Sequence, residues 1–425
     1  KNSGKESKMK KKNKTLMAGF LLLLLLAATG CVKKKIEPVT ITIIHAWGGT
    51  GQDHVAMRDI YDGFQKENQD IEVQLIPMPT REEMLRKVED MIMVGDMPDV
   101  ISFGGMGRNT TYDFIVQNDM ALDIMQYLKS DEEFAADISK TNLNYWTTEA
   151  GQLFTVADVL LLSGGYWYNE DILNAAGVKE LPESWDAFRA MCYKVREWAK
   201  SQENEIKPLQ TSPEGYLYFI DHMLLENGAG NSGDWNTKAQ TSLNDLKEIY
   251  AYSTSENAGY SYLDETRLFN EGKLAVYVNG VWGASMISEN INVKYALLPT
   301  FSEKKMSCES ACLGYVLGKS QNEQKEEASV RFLKYMLSRK VQTRILEETE
   351  QIPANSQVVL DTYKEDMPRL FQAASLVLSA QNKIEVPDNL WSASQKSYFT
   401  ENIFRELTNK VSPEIFLEHL GEMKI

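Results

Sequence analysis

Cysteine and histidine are scarce in this sequence, with only four residues of each among 425. That supply is too small for a disulfide framework and leaves little material for a metal cluster. Basic residues are outnumbered as well, because 45 Lys and Arg face 60 Asp and Glu, for a formal net charge of -15. An acidic chain repels phosphate backbones, so this charge argues against nucleic-acid binding.

Long hydrophobic runs are also missing. The run over 16–28 is too short to cross a hydrocarbon core of ~30 Å comfortably. The remaining composition, 43% apolar and 25% charged residues, is ordinary for a globular protein and excludes a mainly disordered or multi-span membrane chain. At ~150 residues per domain, the length predicts two or three domains.

The N-terminus carries an export signal. A lysine cluster over 8–14 precedes the apolar run, and small residues follow it, which is typical of a secretory signal peptide over 1–30 with Met9 as the natural start. The run ends in Ala-Thr-Gly-Cys31, which resembles a bacterial lipobox. That resemblance implies cleavage before Cys31, lipidation of its thiol, and a short tether over 31–38. The alternatives are a simple membrane anchor and an uncleaved signal.

Strands and helices alternate through the first third of the mature chain. β-branched residues over 39–44 predict a strand, and an apolar face predicts a helix over 53–68. A second strand follows at 71–75. Thr80 and Glu83 then fit a capping box for a helix that stops at Gly95. With a third strand at 99–103, this series predicts a mostly parallel sheet.

The rest of the chain keeps the alternation less regularly. Residues 153–162 are strand-like, and 166–168 predict a strand with one packed face. Further helices are predicted at 185–200, 216–227, 243–253 and 326–337, strands at 274–278, 295–298 and 313–317, and mostly helix from 368 onward. No repeat or long flexible linker separates these segments, which favours two tightly joined lobes.

Short motifs in a fixed order identify a family. They are Trp47-Gly48-Gly49 after the first strand, Gly-Asp-Met-Pro-Asp-Val-Ile at 95–101, Tyr-Asn-Glu-Asp-Ile-Leu at 168–173 with Pro-Glu-Ser-Trp at 182–185, Phe-Asn-Glu-Gly-Lys-Leu at 269–274 with Asn279-Gly280-Val281-Trp282, Leu-Pro-Thr-Phe at 298–301, and Gln-Ile-Pro-Ala-Asn at 351–355. Each motif is weak alone. Together they resemble the sugar-binding extracellular solute-binding proteins of ABC importers and, more distantly, maltose-binding protein.

The resemblance implies an α/β fold of the type II periplasmic-binding-protein kind. Two lobes, each a mixed and mostly parallel sheet flanked by helices, would be joined by crossing segments near 155–159, 296–299 and 346–352. Lobe one would comprise 36–156 and 299–346, and lobe two 157–298 and 347–425. Ligand in the cleft would contact both lobes only when they close about the hinge.

Sugars offer apolar faces to aromatic rings and hydroxyl groups to carboxylates and amides. The resemblance and the positions after strands therefore give the following ligand-binding candidates: Trp47, Trp282, Asp158, Glu214, Tyr216, Arg108 and Asn109, with Trp235 and Trp391 as weaker ones. The loop after the third strand departs from the family pattern, because glycines over 104–107 replace a polar run. Core packing is the competing interpretation for every tryptophan.

Other motifs are not assigned a chemical role. The glycine-rich stretch 228–233 matches a dinucleotide fingerprint but follows a helix, so a flexible loop is the prediction. The histidines are scattered, which predicts no metal site, and no carboxylate pair stands out for glycoside hydrolysis. Cys308 and Cys312, in a surface-like stretch, are either a small disulfide loop or two free thiols on one helix turn. Cys192 is predicted to be buried on a helix.

The sequence thus predicts a lipid-anchored binding protein on the outer face of the cell membrane. It would be a monomer without a cofactor or catalytic residue, would capture a sugar or oligosaccharide, and would deliver it to a membrane permease. The alternatives are a secreted carbohydrate-active enzyme, a sensory binding module, and a binder of a peptide, polyamine or other non-sugar solute.

Overall fold

A computed structural model of the chain describes residues 37–203, 205–227, 237–253, 260–300, 305–384 and 391–423. The predicted signal peptide, Cys31, the glycine-rich stretch 228–233 and Trp235 lie outside these residues. Thr40–Ile425 forms one compact unit. No helix in the described part of the chain is both long and apolar enough to span a membrane.

The first sheet follows the predicted alternation. Its chain order is β1 (Val39–His45), α1 (Gln52–Glu67), β2 (Ile71–Pro77), α2 (Arg81–Met93) and β3 (Val100–Met106), and β10 (Leu313–Leu317) joins from later in the sequence. The spatial order is β10-β3-β1-β2, with β1 parallel to β3 and β10 antiparallel to β3. Thr80 caps α2 by accepting a hydrogen bond from the Glu83 backbone N–H at 3.2 Å. The predicted strands and helices of this region are confirmed.

A second sheet has the order β6-β7-β5-β8. Its strands are β5 (Gly165–Asn169), β6 (Lys207–Leu209), β7 (Leu274–Tyr277) and β8 (Val293–Leu297). Its helices are α7 (Glu170–Ala175), α8 (Trp185–Ser201), α9 (Pro213–Glu226), α10 (Thr237–Tyr250) and α11 (Tyr262–Asn270). Ser184 and Ser212 cap α8 and α9, which explains why these helices begin where they do.

A third sheet, β11-β9-β4, joins distant parts of the chain. It consists of β4 (Leu160–Ser163), β9 (Met306–Ala311) and β11 (Asn382–Ile384). Of the strand-like segment 153–162, only its end lies in β4, and Val156 makes a single bridge to Tyr315, so most of that strand prediction is wrong. β9 lies within the range predicted for lobe one but pairs with strands of the range predicted for lobe two.

The remaining helices pack on these sheets and on other helices. Short helices between β3 and β4 are α3 (Thr110–Gln117), α4 (Met125–Ser130), α5 (Glu132–Asp137) and α6 (Lys140–Trp146). After β10 come α12 (Glu323–Leu337), α13 (Arg339–Thr349), α14 (Pro368–Ser379), α15 (Ala393–Leu407) and α16 (Pro413–Glu422), with 3-10 turns at Val281–Met286 and Leu360–Tyr363. The sheets are mixed, as predicted. More strand pairs are antiparallel than the predicted mostly parallel sheets would have, since β5 pairs antiparallel with both β7 and β8.

Burial differs from the sequence prediction at β5 and at two cysteines. Tyr166 and Tyr168 pack into the core under α8 and α9, while Trp167 packs on the opposite side of the strand against Tyr295. Both faces of 166–168 are therefore packed, because helices cover both sides of this sheet. Cys308 and Cys312 are buried, and Cys312 keeps its thiol, so they form neither a surface stretch nor a disulfide with each other.

Candidate functional site

Trp47 stands directly after β1, on a loop that glycine shapes. A Cβ atom at Gly48 would lie 2.6 Å from the Met78 carbonyl oxygen, so only glycine lets the two backbones meet. The indole packs on Gly104, whose φ of +58° marks a left-handed turn at β3. Arg58 donates to the carbonyl oxygens of Trp47 and Gly49. These contacts hold the Trp47 ring in one place beside the loop after β3.

A buried hydrogen-bond chain connects Asp158 with the first sheet. Tyr315 on β10 donates from its hydroxyl to Asp158 Oδ2 at 2.8 Å, and the Tyr61 hydroxyl lies 3.1 Å from that of Tyr315. Tyr61 also donates to Ser102 at 3.0 Å and stacks edge-on with His45. Burial raises the pKa of Asp158, and the hydrogen bond from Tyr315 opposes this rise. Asp158 is thus held inside the fold in this structure, away from solvent.

Cations surround the glycine loop over 104–107. Arg81 donates from Nη2 to the Gly104 carbonyl oxygen at 2.7 Å. A Cβ atom at Gly107 would lie 3.4 Å from Lys396 Nζ, which brings α15 to this loop. Arg108 is exposed and forms an ion pair with Asp113 at 2.7 Å. Of the two predicted ligand residues here, Arg108 therefore has an intramolecular partner.

Asn109, the second of them, serves as a helix cap. Its side chain accepts a hydrogen bond from the Tyr112 backbone N–H at 3.0 Å and so begins α3. An asparagine followed by a helix is a recognisable capping signal. The sequence therefore contained a structural explanation for Asn109 alongside the ligand-binding one.

Trp282 forms an aromatic platform, in the 3-10 turn after β7. Its ring lies against Gly280, where a Cβ atom would come within 2.1 Å of the indole. Its Nε1 donates to the Tyr262 hydroxyl at 3.2 Å, and Asn279 Nδ2 donates to the same oxygen at 2.8 Å. Trp282 is only partly buried. The side chain is thus oriented by protein hydrogen bonds while part of it remains accessible.

α9 brings further groups to Trp282. Tyr218 lies with its ring centroid 6.2 Å from that of Trp282, at an angle of 52°. Glu214, one helical turn earlier, is exposed in the first turn of α9. Tyr216 instead points into the core, where it is fully buried and its hydroxyl pairs with Ser253 at 3.1 Å. Tyr218, spaced i+4 from Glu214, is the residue of this helix that lies beside Trp282, and the sequence prediction did not include it.

Buried titratable groups lie close to Trp47 and to the Trp282 platform. Burial lowers the pKa of His45 to about 4, so this side chain is neutral at physiological pH. Burial raises the pKa of Glu265 to about 8, against a hydrogen bond from Ser212 that favours the carboxylate. Trp391, one of the weaker candidates, is buried against Phe399 in the core. Within the described ranges, no three His, Cys, Asp or Glu side chains are grouped to hold a metal ion.

The arrangement provides binding chemistry. Trp47 and Trp282 each follow a strand, but of different sheets, and each lies against a glycine. Trp282, Tyr218 and Glu214 combine an aromatic surface with a carboxylate, a pairing suited to the C–H faces and hydroxyl groups of a polyhydroxylated solute.

Solved structures of solute-binding proteins share this fold. A Streptococcus pneumoniae solute-binding protein in complex with the blood group A-trisaccharide is similar at a TM-score of 0.76 and 21% identity, over 90% of this chain and 98% of that one. A chitin oligosaccharide binding protein is similar at a TM-score of 0.75 and 16% identity, over 91% and 98%. The maltose-bound MalE3 of T. maritima gives 0.70 and 18%, over 91% and 99%.

Sequence comparison gives the family. A search of curated proteins found no match. The family model for the bacterial extracellular solute-binding protein matches residues 59–371, most of the chain and nearly all of the segment that carries the motifs. The resemblance seen in the sequence is confirmed, and the chain belongs to the bacterial extracellular solute-binding protein family.

Proposed function

We propose that this chain captures a sugar or oligosaccharide and delivers it to an ABC permease in the membrane. The observation that carries the proposal is the Trp282 platform, beside which Tyr218 of α9 lies, with the exposed Glu214 one helical turn before Tyr218. Sugar-bound relatives with the same fold support it. The ring of Trp282 is oriented by one hydrogen bond from its nitrogen and is only partly buried, so its accessible part can stack on a pyranose ring.

The ligand-contacting set that we propose comprises Trp282, Tyr218 and Glu214, with Arg108 and Asn109 at the edge of the loop after β3. Trp47 stays a prediction from the sequence, because its side chain is only 7% exposed in this structure. We propose that Asp158 acts indirectly, through the Tyr315 hydroxyl that donates to it, because its own side chain is buried. We leave Tyr216 out, because its side chain has no exposed surface in this structure. Trp235 stays a prediction from the sequence.

The proposed cleft lies between lobes that move about the crossing segments. Two of these segments run side by side: Ala354 N–H donates to the Asp158 carbonyl oxygen at 3.0 Å, and Leu160 N–H donates to that of Ile352 at 2.8 Å. Such paired strands allow a small change of backbone angles to swing one lobe toward the other. The lobe boundaries 36–156 with 299–346, and 157–298 with 347–425, remain predictions, and β9 is the element that fits them least.

A thermal-shift screen tests the proposed ligand. The mature chain is mixed with neutral mono- and oligosaccharides, and with amino acids, peptides and polyamines as controls. A saccharide at ~100 times its Kd adds about 2.7 kcal/mol to the free energy of unfolding and raises the melting temperature by a few degrees. Shifts confined to peptides or polyamines would contradict the sugar assignment.

Variants then place the ligand. Trp282→Ala should weaken the binding of an active saccharide about tenfold or more, the scale of a lost central aromatic contact. Trp198→Ala is the matched control, because Trp198, a residue of α8, is partly buried against the core that α8 and α9 cover. It should lower stability and leave affinity unchanged. Equal affinity in wild type and Trp282→Ala would remove this platform from the site.

Membrane attachment is the second part of the proposal. The family is extracellular, and Cys31 follows small residues at the end of the apolar run. We propose diacylation or triacylation at Cys31, since a single acyl chain holds a protein only marginally. In a bacterial host, Cys31→Ala should move the protein from the membrane to the soluble fraction and abolish incorporation of labelled palmitate. Unchanged membrane partitioning would indicate an uncleaved anchor.

A further inference from the structure

Glu265 is a fully buried carboxyl group that the proposed ligand contacts do not include. It lies on α11, and Ser212 donates from its hydroxyl to Glu265 Oε2 at 2.9 Å. Thr211 is fully buried beside it. A Cβ atom at Gly215 would lie 3.3 Å from Glu265 Oε1, so the carboxyl group sits directly beneath the first turn of α9. That turn carries Glu214, and Tyr218 follows one turn later.

The same face of α11 also contacts Trp282. Tyr262, three residues before Glu265, accepts hydrogen bonds from Trp282 Nε1 at 3.2 Å and from Asn279 at 2.8 Å. Thr266, the next residue, pairs with the Tyr277 hydroxyl on β7 at 2.8 Å. Residues three and four apart share one face of a helix. α11 therefore contacts Trp282 through Tyr262 and contacts the start of α9 through Glu265.

We infer that Glu265 is a positioning residue, which sets the Tyr218 and Glu214 side chains of α9 against Trp282 for ligand binding. The inference rests on the proposed function, because the spacing of these groups matters only if they share a ligand. Ser212 is the point of transmission: its side chain accepts from the Gly215 N–H at 3.3 Å and thereby begins α9, while its own proton goes to Glu265. A change in the protonation of Glu265 therefore alters its hydrogen bond with the Ser212 hydroxyl, and this hydroxyl also caps the start of α9.

The protonation state of Glu265 should therefore affect affinity. Burial raises its pKa to about 8, so the carboxyl group is protonated at neutral pH and ionises in mildly alkaline solution. The titratable groups that face it are Glu214 and Tyr216 from α9, Tyr262 from its own helix and Tyr277 from β7. Burial raises the pKa of all three tyrosines above the ordinary value, so they stay neutral through this range.

The test compares Glu265→Gln and Glu265→Ala with wild type. Maltotriose, a chitin trisaccharide and the blood group A trisaccharide are titrated as probes at about pH 6.5 and about pH 9. Gln keeps a neutral hydrogen-bonding side chain, so at the lower pH its affinity should lie within about twofold of wild type, while Ala should bind about tenfold more weakly. Between the two pH values, wild type should weaken about threefold or more and Glu265→Gln should not change.

Glu406→Gln is the matched control, because Glu406 is another buried carboxyl group with a raised pKa, but on α15. It should keep the wild-type loss of affinity at alkaline pH. If Glu265→Ala does not fold, the comparison of wild type with Glu265→Gln decides alone. Wild-type affinity in a folded Glu265→Ala, or an alkaline loss that persists in Glu265→Gln, overturns the inference.

A ligand-independent measurement separates this inference from the proposed function. If wild type binds none of the probes, the proposal of a sugar ligand fails for this panel. The near-ultraviolet circular dichroism that Trp282 contributes, obtained by subtraction of Trp282→Phe, still reports its surroundings. It should change between about pH 6.5 and about pH 9 in wild type and stay constant in Glu265→Gln. A signal that is constant in both proteins overturns the positioning role.

Discussion

At Tyr315, one hydroxyl group satisfies a buried carboxylate. Replacing Tyr315 by Phe leaves Asp158 without its 2.8 Å donor in a site closed to water. An unsatisfied buried group costs about 1–3 kcal/mol, so we expect Tyr315→Phe to lower the free energy of unfolding by about that amount in urea titrations. Tyr335→Phe is the control, since the half-buried Tyr335 hydroxyl donates to the Ile60 backbone carbonyl oxygen and not to a buried carboxylate. Equal losses for both variants would contradict the special role of Asp158.

Gly215 and Gly177 require glycine for different reasons: Gly215 lacks space for a side chain, and Gly177 has a left-handed backbone conformation. A Cβ atom at Gly215 would lie 1.6 Å from Thr211 Oγ1, so Gly215→Ala must displace the start of α9. We expect a loss of about 1–3 kcal/mol or more from overpacking, measured by urea unfolding. Gly177 has free space but a φ of +75°, so Gly177→Ala should cost about 1 kcal/mol through backbone strain alone. A milder effect at Gly215 than at Gly177 would show that Thr211 can rotate away.

Side-chain direction separates the candidate site residues that the sequence predicts from their neighbours. Trp47 and Trp282 follow strands and lie on glycines, a placement that motif order could indicate. Tyr216 and Tyr218 differ by two positions on a helix, which turns them about 200° apart. Motif matching identified α9 but could not indicate which tyrosine faces Trp282, because both lie in an apolar stretch without a clear polar face.

Between elements, one ion pair connects α10 with α15. Lys247 Nζ lies 2.7 Å from Glu406 Oε1, and the Glu406 side chain is fully buried. Lys247→Met leaves that carboxylate without its cation, and breaking a buried pair costs about 3–5 kcal/mol where the charge persists. Burial raises the pKa of Glu406 to about 7 even with the lysine present. We therefore expect a large loss of stability at about pH 8 and a much smaller one at about pH 5, where Glu406 is protonated.

Denaturant titrations at both pH values check this prediction. The double variant Lys247→Met with Glu406→Gln should regain most of the stability at about pH 8, because no uncompensated charge remains. A loss of the same size at both pH values would show that Lys247 acts through the packing of its aliphatic stem.

For the whole molecule, buried carboxyl groups and buried histidines together predict that the free energy of unfolding is largest in weakly acidic solution. Burial raises the pKa of Glu265 to about 8 and of Glu406 to about 7, from an ordinary 4.5. The folded state then binds more protons between these values, so stability falls as the pH rises from about 5 to about 8. Burial lowers the pKa of His45 and His222 to about 4, from 6.5. The unfolded state binds those protons first, so stability falls as the pH drops from about 6.5 to about 4.

Melting temperatures across this pH range should therefore peak near about pH 6. Glu265→Gln with Glu406→Gln should flatten the alkaline side and leave the acid side unchanged. A monotonic rise toward about pH 8 would contradict the burial of these carboxyl groups.

The sequence by itself determined most of the elements and the family. Helix and strand bounds follow from local patterns: the predicted 185–200 is α8 (Trp185–Ser201), and 313–317 coincides with β10. Caps such as Thr80 and Ser184 act within a few residues, so they can be read from the chain. The order of the motifs identified the family, because the loops that follow strands occur at the same places in the fold of each member.

Only the tertiary structure decided which faces are covered and which groups meet. Trp167 is buried because packing covers the second side of β5, and Cys312 is buried because β9 and β10 lie inside the fold. Glu265 meets Ser212 across 53 positions, and Asp158 meets Tyr315 across 157. Such contacts depend on how distant segments pack, and no local periodicity records them. The positions of Trp47 and Trp282 after strands could thus be predicted from the sequence, whereas the partners of the buried carboxyl groups could not.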